Sequence, residues 1–441
     1  MIPILELSSS ADRQHVERLL GELRLEPAEL AVGKGERAKQ AAAAAVARIL
    51  ADVAQRGDGA VVESCRKFDD PDFSAAQIRV SQDEIADAAG RVPPEQMDAI
   101  RRSIAQVSEY QSHIMPADPP PLRRNGVELG LRFTALDSAG LYFPGGKAAY
   151  PSSLIMLAVP AQVAGVKRIV VCSPPSKYGR SDLVLAVCAE LKLADVFRAG
   201  GAAAIAAMAL GTATIPKVDK IVGPGNIYVQ LAKRALAGAV GLDGFLGPSE
   251  ILIIADESGR PDFIAADLLA QAEHDPGSCF LLTSSRKLAD AVAAQLESQK
   301  VSLSRREAVE KALRDHSAII VGKSLDDLID LANQFAAEHV NLQTRDDAAA
   351  LRKLRHAGAV FVGKYSPVAA GDYIAGPSHC LPTNTTARFS SGISVYEFLK
   401  RTSVVRYEPT GLAADAEAIV ALAEAEHLDA HAKSVRAREK A

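Results

Sequence analysis

The chain has 441 residues, a formal net charge of −4, 48% hydrophobic residues and 24% charged ones. This is the balance of an ordinary soluble globular protein of about two to four domains at ~150 residues each, and it excludes a disordered chain. It also excludes the basic footprint expected of a nucleic-acid or anionic-membrane binder. Five scattered cysteines (Cys65, Cys172, Cys188, Cys279, Cys380) form no close metal-binding or redox pair, so a reducing cytoplasm is the expected compartment. The N-terminal MIPILELSSSADRQ lacks the basic and long apolar regions of a secretory signal. The most apolar stretch, 154–166, is broken by Pro160 and too short to span a bilayer.

The first part reads as helical. KQAAAAAVARILADVAQRGD is rich in helix formers and stops at Gly57. Ser81-Gln-Asp-Glu84 has the form of a capping box, and Pro93-Pro94 opens a helix running towards His113. From about residue 138 the rhythm changes to short apolar strands alternating with helices through Gly turns. AGLYF, KRIVVCS, DVFRA and DKIVG are the expected strands of that stretch. A second series begins at GPSEILIIAD, with expected strands over 250–256, 279–284, 317–321, 339–343 and AVFVG. Helices are expected between them over 261–273, 285–298, 325–337 and 346–356. Such alternation predicts βαβ units and parallel sheets. The fold class is therefore α/β, with two Rossmann-like parallel-sheet domains, N-terminal helices and a C-terminal helical tail. The partition this suggests is an extension over 1–25, a discontinuous first domain over 26–137 and 241–385, an inserted domain over 138–240, and a tail over 386–441. The tail is expected to hold a short segment, FLKRTSVVRY, and then one long helix carrying His427 and His431, with little core of its own, docking elsewhere, for instance on a second subunit.

Three stretches offer metal-ligating side chains: Gln271-Ala-Glu-His274, Asp372 to His379 within GDYIAGPSHC, and Glu426-His-Leu-Asp-Ala-His431. Residues three or four apart on a helix share a face, so Gln271 and His274 can reach one ion. Imidazole nitrogen and carboxylate or amide oxygen suit a Zn²⁺-like ion without any thiolate. Asp372 and His379 sit in a Gly- and Pro-rich loop, poor in core-forming residues and of the kind that carries function. Glu338-His339 is a neighbouring carboxylate and imidazole, fit for general base work, although a His hydrogen-bonded to backbone is the plainer reading of that pair alone. The end of helix 325–337 is expected to hold the His339 pKa up. Gly223-Pro-Gly-Asn226 and Pro144-Gly-Gly-Lys147 follow strands and precede helices, where backbone N–H groups can meet phosphate, yet neither completes a nucleotide-binding pattern. Cys380 beside His379 is a poor nucleophile, since adjacent side chains rarely aim at one point.

Taken together, GLYFPGGKAAYPSS, DKIVGPGNIYV, GPSEILIIAD, QAEHDP, AEHVNLQT, GDYIAGPSHCLPT, TARFSSGISVYEFLKRTS and EHLDAH fall in the order found in histidinol dehydrogenases. The chain resembles that family from about residue 25 to 437. The resemblance implies a Zn²⁺-dependent enzyme that oxidises L-histidinol through L-histidinaldehyde to L-histidine with two NAD⁺. It implies Gln271, His274, Asp372 and His431 as zinc ligands, His431 coming from the second copy in a homodimer. Glu338 and His339 match the catalytic pair. Ser249, His379 and Glu426 match substrate contacts, and so do the pair and the ligands. Tyr142 and Asn226 match NAD contacts. The partners implied are a small-molecule substrate and a second copy, with no nucleic acid and no membrane.

Three positions depart from the family pattern. Ala203 stands where a Gln near NAD is usual, Leu157 where Asn is common, and His427 where Gly precedes Leu. They motivate an alternative, a paralogous dehydrogenase of another small polar alcohol such as a sulfopropanediol. From a different class, a zinc hydrolase with Glu338 activating water would need no nicotinamide.

Overall fold

In the computed structural model the described residues are 1–24, 36–145, 148–244, 247, 249–274 and 277–439. The expected boundary near residue 25, Gly146-Lys147 of the first glycine loop, and Asp275-Pro276 lie outside them.

Fourteen strands are numbered along the described chain. They begin with β1 (Ile4–Glu6), β2 (Leu122–Arg124) and β3 (Val127–Ala135). The glycine-punctuated stretch then supplies β4 (Ser138–Tyr142), β5 (Arg168–Ser173), β6 (Asp195–Arg198), β7 (Lys220–Val222) and β8 (Gly241–Leu242). The second series supplies β9 (Ser249–Ala255), β10 (Gly277–Thr283), β11 (Ala318–Val321), β12 (His339–Gln343) and β13 (Ala359–Val362), and the chain ends its strands with β14 (Leu399–Tyr407).

A parallel sheet runs β6-β5-β4-β7-β8, and a larger one runs β1-β11-β10-β9-β12-β13. Numbered from β4 in the one and from β9 in the other, the order 3-2-1-4-5 occurs in both, the Rossmann arrangement. The two α/β halves read from the sequence thus share one topology. The larger sheet gains β1 at its edge, so the expected N-terminal extension contributes a strand, paired in parallel with β11. Three residues are too few to show a strand pattern. Helix Arg306–Asp315 was also unforeseen, because its buried face is only Val309, Ala312 and Leu313.

The N-terminal helices differ from their expected place. Helices Glu36–Arg56 and Asp58–Phe68 pack on Gly201–Leu210, and Gln82–Arg91 and Pro94–His113 pack on Asp182–Glu190 and Pro151–Ala164. Val46, Val61, Ile85 and Val107 therefore join the cores of the smaller sheet, not the larger. An amphipathic helix displays an apolar face but not which sheet will cover it. Ser81 accepts from Glu84 N at 3.1 Å, half of the expected capping box, while the Glu84 carboxylate turns to Arg198.

Strand β14 pairs antiparallel with β3 along its whole length and is almost entirely exposed. The tail after it is not one helix but two, Pro409–Ala425 and Asp429–Arg436. His427 breaks it with φ 59°. Leu428 N donates to Ala423 O at 2.8 Å and His427 N to Glu424 O at 3.0 Å, the two bonds of a Schellman motif. That motif wants a left-handed residue, which is the physical reason for glycine at this position; here histidine accepts the strain.

Candidate active site

The helix Leu325–Phe335 ends at Ala336, whose φ of 45° reverses the chain. Glu338 and His339 follow, and His339 opens β12, which lies between β9 and β13. A central strand buries both side chains, leaving them 6% and 4% exposed. The Glu338 Oε2 accepts from the Ser249 hydroxyl and, at 3.0 Å, from Glu250 N. The His339 Nδ1 lies 3.3 Å from the Glu250 carbonyl oxygen. A carbonyl only accepts, so Nδ1 carries the hydrogen and Nε2 the lone pair. Nε2 is buried without a hydrogen-bond partner, 3.7 Å from Asp372 Oδ1.

Burial pushes His339 down to about 3 and Glu338 well above the usual carboxyl range. This corrects the expectation that the helix end would hold the imidazole up. The helix stops at Phe335, and the reversal carries the ring into the sheet, where desolvation outweighs any dipole.

Gln271 lies in the last turn of helix Pro261–Ala272; it is buried, and its Nε2 has no partner. His274 N donates to Gln271 O at 3.1 Å, so the two residues share one turn. His274 is exposed, yet the protein crowding its ring, with the Arg305 charge, lowers its pKa. Asp372 sits on the short helix Val368–Tyr373, and burial raises its carboxyl to about 6. Its carbonyl lies 2.7 Å from His379 Nδ1, so that nitrogen donates and His379 Nε2 accepts from Ser153 Oγ at 3.0 Å. His274 influences both His339 and His379 electrostatically. Three imidazoles, two carboxyls and one amide thus converge from separate stretches of chain.

The Ser153–His379 bond joins the halves, since Ser153 lies in the first turn of helix Pro151–Ala164, directly after β4. The site therefore lies between the carboxyl edge of the smaller sheet and the amino edge of the larger one. Ser249, Gly277, His339 and Ala359 all begin their strands.

On the smaller sheet, Tyr142 closes β4 in the core, its hydroxyl accepting from Gly201 N at 3.1 Å. Asn226 is exposed, and its side chain caps helix Ile227–Ala235 by accepting from Tyr228 N and Val229 N. Gly223 has φ 120°, and a Cβ there would lie 1.8 Å from Tyr142 O. Its N–H donates to Asp243 and its carbonyl accepts from Lys233, which pairs with Asp243 at 2.6 Å. The turn is a clamped close approach to the neighbouring strand. Ala203 and Leu157 are wholly buried in the adjoining helices.

Glu426 and His431 lie exposed on the tail. Among the described residues neither bonds to Gln271, His274, Asp372, Glu338, His339 or His379. No three His, Cys, Asp or Glu of the described residues form a metal cage by themselves. The expected set would not show as one, because Gln271 is an amide and His431 was expected from a second copy. Cys380 is buried, and desolvation pushes its thiol up to about 12, which rules it out as a ready nucleophile.

Two of the polar groups that build this site went unread in the sequence. Ser153 is a polar residue in the otherwise apolar run SSLIMLAV, and Glu250 stands at the head of the apolar run EILIIA. Glu250 is 1% exposed, with its carboxyl raised from 4.5 to about 8 by burial. A carboxyl raised on folding contributes stability that is fully present below the unfolded value and lost as pH climbs through the folded one. One pKa unit corresponds to about 1.4 kcal/mol. The melting temperature should therefore fall between pH ~5 and ~9, and Glu250→Gln should flatten that fall; parallel curves would contradict it.

The family model for histidinol dehydrogenase matches residues 33–439. The chain belongs to the histidinol dehydrogenase family. It is 47% identical over 396 residues to the histidinol dehydrogenase of Geobacillus kaustophilus, covering 89% of this chain and 93% of that one. With that of Bacillus subtilis it shares 46% identity over 397 residues, 90% and 92% of the two chains. The crystal structure of histidinol dehydrogenase from Elizabethkingia anophelis superposes with a TM-score of 0.90 at 32% identity, over 100% of this chain and 98% of that chain. The protein is accordingly an oxidoreductase of the dehydrogenase class.

Proposed function

We infer that this chain oxidises L-histidinol through L-histidinaldehyde to L-histidine, the closing steps of histidine biosynthesis, in the cytoplasm. The observation that carries the reading is the free, buried Nε2 of His339, facing Asp372 and flanked by Glu338.

The residues fit a zinc ion. Gln271 is a buried amide whose oxygen can ligate, and burial lowers the His274 pKa so that the ring stays neutral. The Asp372 carboxyl, raised to about 6 by burial, would be drawn back down by a cation beside it. Gln271, His274, Asp372 and His431 of the partner subunit are the proposed ligands. Bound there, zinc would hold the substrate's amine and imidazole and so orient the alcohol carbon. NAD⁺, on the Tyr142–Asn226 side, would accept hydride. The paralogue reading is not favoured, since the curated relatives matching at this coverage are histidinol dehydrogenases.

His339 Nε2 takes the hydroxyl proton as hydride leaves the alcohol carbon. The aldehyde then adds water, with Glu338 removing the water's proton while protonated His339 returns its proton to the carbonyl oxygen; His339, neutral once more, takes a hydroxyl proton again as the hydrate loses the second hydride. The Ser249 hydroxyl and Glu250 N–H fix the Glu338 carboxyl during this step. His379, locked by Asp372 and Ser153, and Glu426 of the partner subunit are the remaining proposed substrate contacts.

A homodimer would supply the partner residues. Val404 and Val405 on β14, with Leu422 and Leu428 on the tail, are large apolar side chains left exposed. Val404 and Val405 alternate across the strand, so each face of β14 offers a partner subunit an apolar side chain to cover.

Zinc-loaded protein with NAD⁺ and L-histidinol should yield two NADH per histidine; turnover of other small alcohols but not histidinol would reject the substrate. Gly277→Ala tests the metal site, because a Cβ there would lie 2.4 Å from Gln271 O and 2.9 Å from His274 O. The displaced turn should weaken zinc binding roughly 10–100-fold, read by competition with a chromophoric chelator. Unchanged affinity would remove both residues from the ligand set.

A further inference from the structure

Glu250 is a buried carboxyl for which the reaction above has no use. Its Oε1 accepts from Asn384 N at 2.5 Å, while its Oε2 is buried without a hydrogen-bond partner. A buried carboxyl without a cation is an expensive choice for the second residue of a central strand. Burial holds it largely protonated at neutral pH.

Its main chain does something else. The Glu250 N–H donates to the Glu338 carboxylate at 3.0 Å, and the Glu250 carbonyl accepts from His339 Nδ1 at 3.3 Å. Both members of the acid–base pair therefore depend on the position of one residue's peptide groups. The side chain of that residue reaches a turn in which two consecutive non-glycine residues, Asn384 and Thr385, have φ of 57° and 63°. A β-branched residue in this region is rare and holds only where its surroundings impose it. Asn384 also donates from Nδ2 to Leu23 O at 3.1 Å, and Thr383 Oγ1 accepts from Gly247 N at 2.7 Å. The turn is thus tied to the large half and to the link between the halves.

We propose that Glu250 is the positioning residue of the Glu338–His339 pair, its side chain anchored on the strained 384–385 turn so that its peptide groups hold Glu338 in place and His339 in the Nδ1–H tautomer. The proposal rests on the functional reading for its kinetic arm alone.

Glu250→Gln keeps an acceptor for Asn384 N–H and the shape of a protonated carboxyl; Glu250→Met keeps the volume but not the anchor. Zinc-loaded enzyme should lose kcat roughly 100-fold in the Met variant, the scale of a misplacement of about 1 Å. KM should stay within about threefold, and the Gln variant should recover kcat. Nitrogen NMR of labelled imidazoles, assigned with His339→Asn, should show one Nδ1–H tautomer at His339 in the wild type and the Gln variant. The Met variant should show a mixture. This spectrum needs no substrate, so it stands even if histidinol proves wrong. Wild-type kcat in the Met variant would overturn the proposal, as would kcat and KM worsening together with one unchanged tautomer. Should the Met variant not fold, Glu250→Gln decides alone. Loss of kcat there would give the carboxyl a proton-transfer role instead; retention supports positioning.

Discussion

Glu338→Gln should separate the two halves of the reaction. Glutamine keeps an oxygen to accept from the Ser249 hydroxyl and from Glu250 N, so the local geometry survives. What it loses is the ability to take a proton from water. Hydration of the aldehyde should slow by roughly 10²–10⁴-fold, the range of a lost general base. Oxidation of the alcohol, which leans on His339, should change by less than about tenfold. Rapid-mixing experiments would then show a first NADH equivalent at near-normal rate and a second one much delayed. Equal slowing of both equivalents would take the role away from Glu338.

His339→Asn should instead slow both equivalents. Asparagine can place its amide nitrogen near the position of Nδ1 and still donate to the Glu250 carbonyl, but nothing replaces the lone pair at Nε2. A fall of roughly 10²–10⁴-fold in each half-reaction is expected, with zinc content and KM close to wild type. The buried His339 imidazole, lowered to about 3, is a weak base because burial opposes its charged form. Glu338, 3.5 Å from Nδ1, and Asp372, 3.7 Å from Nε2, are the groups that can stabilise the imidazolium as it forms. The carboxylate on either side is thus part of what makes the ring useful. Wild-type rates in the asparagine variant would leave the proton with another group.

Much of this was legible in the residues. Apolar β-branched runs such as SEILIIA, bounded by turn residues, pointed to buried strands, and their alternation with helices to parallel sheets. The spacing of Gln271 and His274 allowed a shared ion, whereas the adjacency of Glu338 and His339 alone favoured a histidine bonded to backbone, and the family resemblance supplied the pair's role. Other features left no trace in side-chain type. The host sheet of the N-terminal helices depends on docking, not on periodicity. The tautomers of His339 and His379 are set by carbonyls of Glu250 and Asp372, and a carbonyl looks the same in every residue. Burial reversed the expected direction of the His339 shift because the reading of a helix end knows nothing of the sheet that follows. The break in the tail was hidden because histidine, not glycine, occupies the left-handed position.

The larger sheet is used from its amino edge, although sheets of this kind ordinarily bind ligands at the carboxyl edge. Strand β9 spans seven residues, which at about 3.3 Å each leaves roughly 20 Å between Ser249 and the far rim. The connections on that rim around 257–260 and 344–346 are remote from every group that handles a proton, whereas 363–367 leads straight into the helix that carries Asp372. The first two are therefore the places where a fluorophore, an epitope or a whole guest domain could be spliced in without disturbing turnover.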